Sequence, residues 1–353
     1  MKKKHWVGWV IAAIVLLAIV IYARSHVHFD WRVFLEQLRS ADWRRIAIAI
    51  SLIYIAFGFR AVRWALFVRP TKKVSAFAVL GSQVIGFTAV AIFGRLADLV
   101  RPYLVARRIN LPLGSQIAVY TVERMFDMGT MALIFSTVLL FSRDSATLPH
   151  HELMVHVAQF GLLGTFGLAA FAIMVRLSGH VVAAVTRKML NPISANLAQS
   201  VYEKITTFRD GLNALETFKD FILAAGLSLS MWTLITCAYL ETTHAFVNSP
   251  ELASMSLSRC MLLMAASMTA STFQPPVIGW FTTIGLTSGA MQWLGVAREP
   301  ALGCGAVLLL VTFLCIIPVG LIWAQFEHVS LKKVTEESEH AGEEESLHAG
   351  AAE

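Results

Sequence analysis

The sequence predicts an all-α, polytopic integral membrane bundle of about six full spans plus two broken or re-entrant helical hairpins in an inverted-repeat pattern. Three observations predict it. Of 353 residues 56% are hydrophobic and 15% charged, against roughly 25% charged in a soluble domain. Several apolar runs exceed the ~18 residues that mark a membrane helix. Two apolar stretches, 75–93 and 259–294, carry polar residues, Gly or Pro in their middles. Residues 1–330 are read as one membrane domain, and 331–353 as an acidic, disordered cytoplasmic tail.

The elements follow in order. The run from Trp6 to Ala23 behind Lys2, Lys3 and Lys4 is longer than a signal-peptide core and lacks a clear cleavage site. It reads as an uncleaved first helix leaving the cytoplasm. Residues 24–45 form an outer connection with a short amphipathic helix, although five Arg there fit the positive-inside rule poorly. Helix 46–68 returns to Arg69, Lys72 and Lys73. A full crossing by 75–93 would put the Arg of 95–108 outside. Ser82, Gln83, Gly86 and Thr88 instead suggest a broken segment that dips in and returns, leaving those Arg cytoplasmic. Helix 115–141 runs out and 156–176 comes back. The basic stretch 177–220 lies along the inner surface, and 221–246 runs out again. Residues 259–294, broken at Gln274-Pro275-Pro276 and Gly279, form a second hairpin entered from outside. Helix 302–326 returns to Lys332 and Lys333. Both termini are then cytoplasmic.

Composition excludes several classes. Cys237, Cys260, Cys304 and Cys315 lie in apolar runs without metal-ligand spacing, as packing residues do. His151 and His156 are five apart, whereas a zinc-protease helix needs four. No nucleotide-binding glycine motif and no nucleophile triad is present. No metal, cofactor or nucleic-acid partner is expected. The last twenty residues hold seven Glu and no Lys or Arg, so a chain of net charge +6 is +13 without them. That excess suits anionic lipid headgroups; the positive-inside bias explains it equally.

Three constellations could carry function, because ionisable groups in membrane segments are expensive. Arg95, Asp98 and Arg101 recur every third residue, so on a helix they share a face. Asp98 would orient two guanidinium forks suited to a lipid phosphate; the alternative is a solvated basic loop. Glu123, Arg124 and Asp127 lie deep in one helix. They read either as a polar translocation path with a titratable carboxylate, or as a closed ion-pair cluster. Arg60 and Arg63, before Trp64, either snorkel to the interface or extend the phosphate site. Pro275, Pro276 and Gly279 are the candidate gate.

Arg60, Arg63, Trp64, Arg95, Arg101, Arg107, Glu123, Arg124 and Asp127 resemble the hallmark positions of the flippase-like family named for the transmembrane region of lysylphosphatidylglycerol synthase. The likeness is close over 60–127 and general over about 300 residues. It departs at Phe93, Ala97 and Asp98, where the family has Pro, Gly and Glu. In the segment Pro275 to Thr282, two glycines and an acid of the family pattern are missing. The resemblance implies the lipid-moving half of the synthase activity, since the lysyl transfer of the bifunctional members resides in a soluble domain.

The function expected is therefore a translocase of an anionic or phosphate-bearing lipid in the bacterial inner membrane, not an enzyme. The phosphate would sit on Arg95 and Arg101. The alternative is a non-catalytic membrane partner that anchors or presents lipid to a separate envelope-lipid synthase. An integral-membrane transferase is a weaker third reading.

Overall fold

A computed structural model describes residues 31–142, 150–192, 217–272 and 278–338 nearly in full, with a few positions between them. The first helix, Pro275, Pro276 and most of the tail lie outside the described residues. Every regular element described is a helix, and six are long and apolar enough to cross a membrane.

Helix α1 (Trp31–Ser40) is the short amphipathic element expected before the first described span. Helix α2 (Trp43–Val68) starts at Asp42, whose carboxylate accepts from the Arg44 N–H, a capping role suited to Asp. Its buried positions Ile46, Ala49, Ile53, Ala56, Arg60, Arg63, Trp64 and Phe67 recur every three or four residues, so both arginines continue the core-facing stripe.

Helix α3 (Ala76–Phe93) is one unbroken helix, which corrects the expected break inside 75–93. All four polar or small residues there are buried against protein, and two have hydrogen bonds. Thr88 donates to the Val84 carbonyl at 2.9 Å, and Gln83 accepts from Arg101. The chain reverses at Gly94 (φ 72, ψ −158), backbone that essentially only glycine adopts. A 3₁₀ turn, Gly94–Leu99, and α4 (Val100–Ile109) then run back along α3. The outbound leg is about 27 Å long, and the return legs together match it at about 27 Å. Lys72 donates to the Ile109 carbonyl at 2.8 Å, so the hairpin ends where it began. A helical hairpin thus exists, but its return leg is 94–109. Arg101 therefore lies inside the bundle and not in a loop, whereas Arg107 and Arg108 are exposed near the base.

Helix α5 (Leu113–Phe141) crosses the bundle from that base. Helix α6 (His151–Leu190) packs against α5 and runs on past 176, with a kink at Ser178. Its apolar segment is the least buried of the candidate spans. Helix α7 (Phe218–His244) lies antiparallel to α2, tied at 42–245, 63–228 and 69–220.

The second hairpin is α8 (Leu257–Thr272) and α9 (Ile278–Trp293). Each is about 24 Å long, short of a full crossing. Leu262 and Leu294 meet beside Leu139, at the far end of α5, so this hairpin enters from the end opposite the first. The two tips touch: the Trp280 indole donates to the Ala91 carbonyl at 3.0 Å. Ala91 is among the last four residues of α3, whose carbonyls lack partners within the helix.

Helix α10 (Arg298–Leu309), a π-helical segment (Leu310–Leu314) and α11 (Ile316–Phe326) complete the bundle. Tyr54 donates to the Cys315 carbonyl at 2.7 Å beside the irregular turn. Thr88 sits so close to Gly320 that a Cβ there would clash with it. Residues 331–338 form a last helix, α12, so the expected disordered tail is helical at its start.

Candidate functional site

The residues that hydropathy marks as most costly converge on one place. Arg60 and Arg63 from α2, Arg101 from α4, and Glu123 and Asp127 from α5 are all buried. One Glu123 oxygen, Oε1, receives Arg60 Nη1 at 2.7 Å, Arg63 Nη2 at 3.1 Å and Arg101 Nη2 at 3.0 Å, and Oε2 receives Arg101 at 2.9 Å. Asp127 receives Arg63 at 2.7 Å, Arg60 at 3.3 Å and the Trp232 indole at 3.2 Å. Ser228 accepts from Arg63 Nη1 at 2.6 Å, while Arg63 Nε has no hydrogen-bond acceptor. Such bonds to charged groups are the strong ones.

Arg101 has no exposure. Its Nε and Nη2 donate to Gln83 Oε1 at 3.0 and 2.8 Å. Its guanidinium lies over Phe87 at 4.2 Å, with Trp64 and Tyr120 each at 5.4 Å. Arg101 Nη1 has no hydrogen-bond acceptor, and these aromatic faces compensate it in part. Gly86 makes the approach feasible, since a Cβ at that position would overlap Arg101 Cγ.

These positions revise three expectations. Arg60 and Arg63 do not snorkel; they are locked into carboxylates from another helix. Arg101 pairs with Glu123 and does not face a lipid phosphate. No carboxylate of this cluster is left over, because both are engaged by at least two guanidinium groups. The surplus charge is positive. Arg124, 3.9 Å from Asp127 and 4.9 Å from the Tyr120 ring, brings the local arginines to four, so they outnumber the carboxylates even when Asp98 is counted.

Above the cluster lies a cleft of about 200 Å³, lined by residues of α2, both hairpins, α7 and the π segment. Arg60, Arg124 and Asp98 reach its wall, with Phe87, Trp232, Tyr239, Ser267, Thr283 and Thr312 among its other residues. Asp98 lines the cleft, whereas Arg101 is fully buried against Gln83 and Glu123. The Arg95 side chain lies outside the described residues. Gly279 is buried near the second tip, where Thr283 donates to its carbonyl at 2.8 Å. Sequence reasoning missed Phe87, Tyr120, Ser228 and Trp232, and it read Gln83 as part of a helix break and not as the partner of Arg101. The polar Gln83 within an apolar run was the one available signal.

Comparison with known proteins adds the following. The family profile described as "Lysylphosphatidylglycerol synthase TM region" matches residues 6–320. A stretch of 132 residues is 30% identical to a Haloferax volcanii protein described as "Glycosyltransferase AglD", covering 37% of this chain and 21% of that one. The chain thus matches about a fifth of that relative's length. No solved structure matches the chain.

Proposed function

This chain belongs to the lysylphosphatidylglycerol synthase TM region family, and on that premise we propose that it is an integral membrane lipid translocase acting on an anionic or phosphate-bearing lipid. The cleft between the hairpin tips carries the reading. Arg60 and Arg124 face it, backed by a buried cluster in which arginines outnumber carboxylates. A low-dielectric site with surplus guanidinium favours an anion and repels a cation. Arg60 and Arg124 receive the phosphate, Glu123 and Asp127 hold the arginines in place, and Arg101 fixes the first hairpin to α5. The hairpin tips, including Gly279, form the gate, and lipid enters laterally.

The bacterial inner membrane, with both termini cytoplasmic, is the setting this reading implies. Arg69, Lys72, Lys73, Arg107, Arg108, Lys332 and Lys333 gather at the base of the first hairpin, and positive-inside bias supports that end as cytoplasmic.

The test is a liposome assay with a fluorescent phosphatidylglycerol in both leaflets and a membrane-impermeant quencher outside. Wild-type protein should render the inner-leaflet probe quenchable. Arg124→Gln should slow this about tenfold, since a charge-assisted bond is worth about 1.5–3 kcal/mol. Rates equal to those of empty liposomes would remove the proposal.

A second reading is favoured by one observation. The Haloferax volcanii relative bears a glycosyltransferase name, and the similarity covers only a fifth of it. The chain would then present lipid to a separate envelope-lipid synthase. That reading predicts a stable complex with such an enzyme and no translocation by the chain alone.

A further inference from the structure

The C-terminal residues of the described fold form a clasp around the first hairpin. Helix α11 grips the outbound leg: Trp323 and Glu327 lie so close to Gly81 that a Cβ there would clash with both. The chain then turns at Glu327 and His328, the latter in the left-handed region. Helix α12 comes back onto the return leg. Val334 is buried in one apolar cluster with Ile85, Ala89, Val100 and Leu104, and Val329 and Leu331 pack against it. Tyr103 on the return leg donates to Glu337 at 3.0 Å. Arg107 stands 3.8 Å from Glu337, and Arg108 4.0 Å from Glu327.

We infer that residues 327–338 are a latch that sets how readily the return leg, 94–109, opens away from the bundle. The apolar contacts hold it shut. The ion pairs are partly exposed and individually weak, so they make the closure sensitive to salt and to competing anions. Anionic headgroups gathered at this basic base would compete with Glu327 and Glu337 for Arg107 and Arg108. The latch rests on contacts alone and stands whether or not the cleft carries lipid.

The experiment is amide hydrogen exchange on the full chain in nanodiscs of neutral lipid. Three proteins are compared: wild type, the E327Q/E337Q double variant and Val334→Asp. Peptides from 94–109 should exchange roughly fivefold faster in the double variant, which removes the two weak pairs to the return leg, the Lys333–Glu337 pair within α12 and the Tyr103 acceptor charge. The effect in Val334→Asp should be larger. Peptides from 257–272 and 278–293 should be unchanged in both. Adding anionic lipid to wild type should move 94–109 in the same direction. Unchanged exchange at 94–109 in both variants overturns the latch. So does an acceleration that extends equally to the second hairpin, which would make α12 a general stabiliser.

Discussion

Neutralising Glu123 is the sharpest probe of the buried cluster. Its two oxygens receive three guanidinium groups between 2.7 and 3.1 Å. Glu123→Gln keeps the shape and removes the charge, leaving Asp127 as the carboxylate that receives Arg60 and Arg63. Breaking a buried pair on one side costs about 3–5 kcal/mol, because the other side is left uncompensated in low dielectric. Glu123→Gln should therefore lose at least ~3 kcal/mol of stability, read by SDS titration in mixed micelles with tryptophan fluorescence. Removing a cation with the anion restores the balance. The R101M/E123M pair loses one charge of each sign, and buried pairs replaced by apolar residues of similar size are often neutral. The pair should be at least ~2 kcal/mol more stable than the sum of Arg101→Met and Glu123→Met. A loss under ~1 kcal/mol for Glu123→Gln, or strict additivity in the cycle, would refute the view that these charges hold one another.

Other expectations are smaller and separable. Gly86→Ala places a methyl group on Arg101 Cγ, and overpacking of this kind costs about 1–3 kcal/mol; a thermal melt in detergent should drop accordingly. Trp232→Phe removes the indole donor to Asp127 while retaining a ring, so it should cost about 1–3 kcal/mol in the same titration. Arg45→Ala removes a partly exposed pair with Glu241 at 2.8 Å and should stay within about 1 kcal/mol of wild type. Gly94→Ala forces an alanine into φ 72, ψ −158, and the first hairpin should show lower protease resistance, at a cost of about 1–3 kcal/mol.

Hydropathy made the spans legible, because each is a long apolar run with charges at its ends. It misplaced the break in the first hairpin for a physical reason. Ser82, Gln83, Gly86 and Thr88 read as a weak point in a helix facing lipid, yet all four face protein. The reversal needed a single residue able to take positive φ, and Gly94 supplied it just beyond the apolar run. Arg60 and Arg63 show a different limit. Their partners lie more than sixty residues away in sequence, so no local pattern distinguishes a buried arginine from a snorkelling one. The three-and-four spacing from Ile46 to Phe67 was the available hint. Glu123 and Asp127 were legible as a pair one turn apart, but the excess of arginine around them emerges only when α2, α4 and α5 meet.

The contact between Trp280 and Ala91 has a consequence for what can pass between the tips. The indole supplies an end carbonyl of α3 with a donor that its own helix cannot provide. If the tips part, as the proposed translocation requires, one donor and one acceptor are exposed together, and each orphan group costs several kcal/mol wherever water does not reach it. The open state is therefore stable only when something restores both. A phosphate oxygen can take the indole proton but has none to give the carbonyl. A headgroup that also carries a hydroxyl or ammonium group, or a phosphate arriving with its water, satisfies both at once. Under the proposed translocation, the seam between the hairpins would read the hydrogen-bonding complement of a cargo as well as its charge.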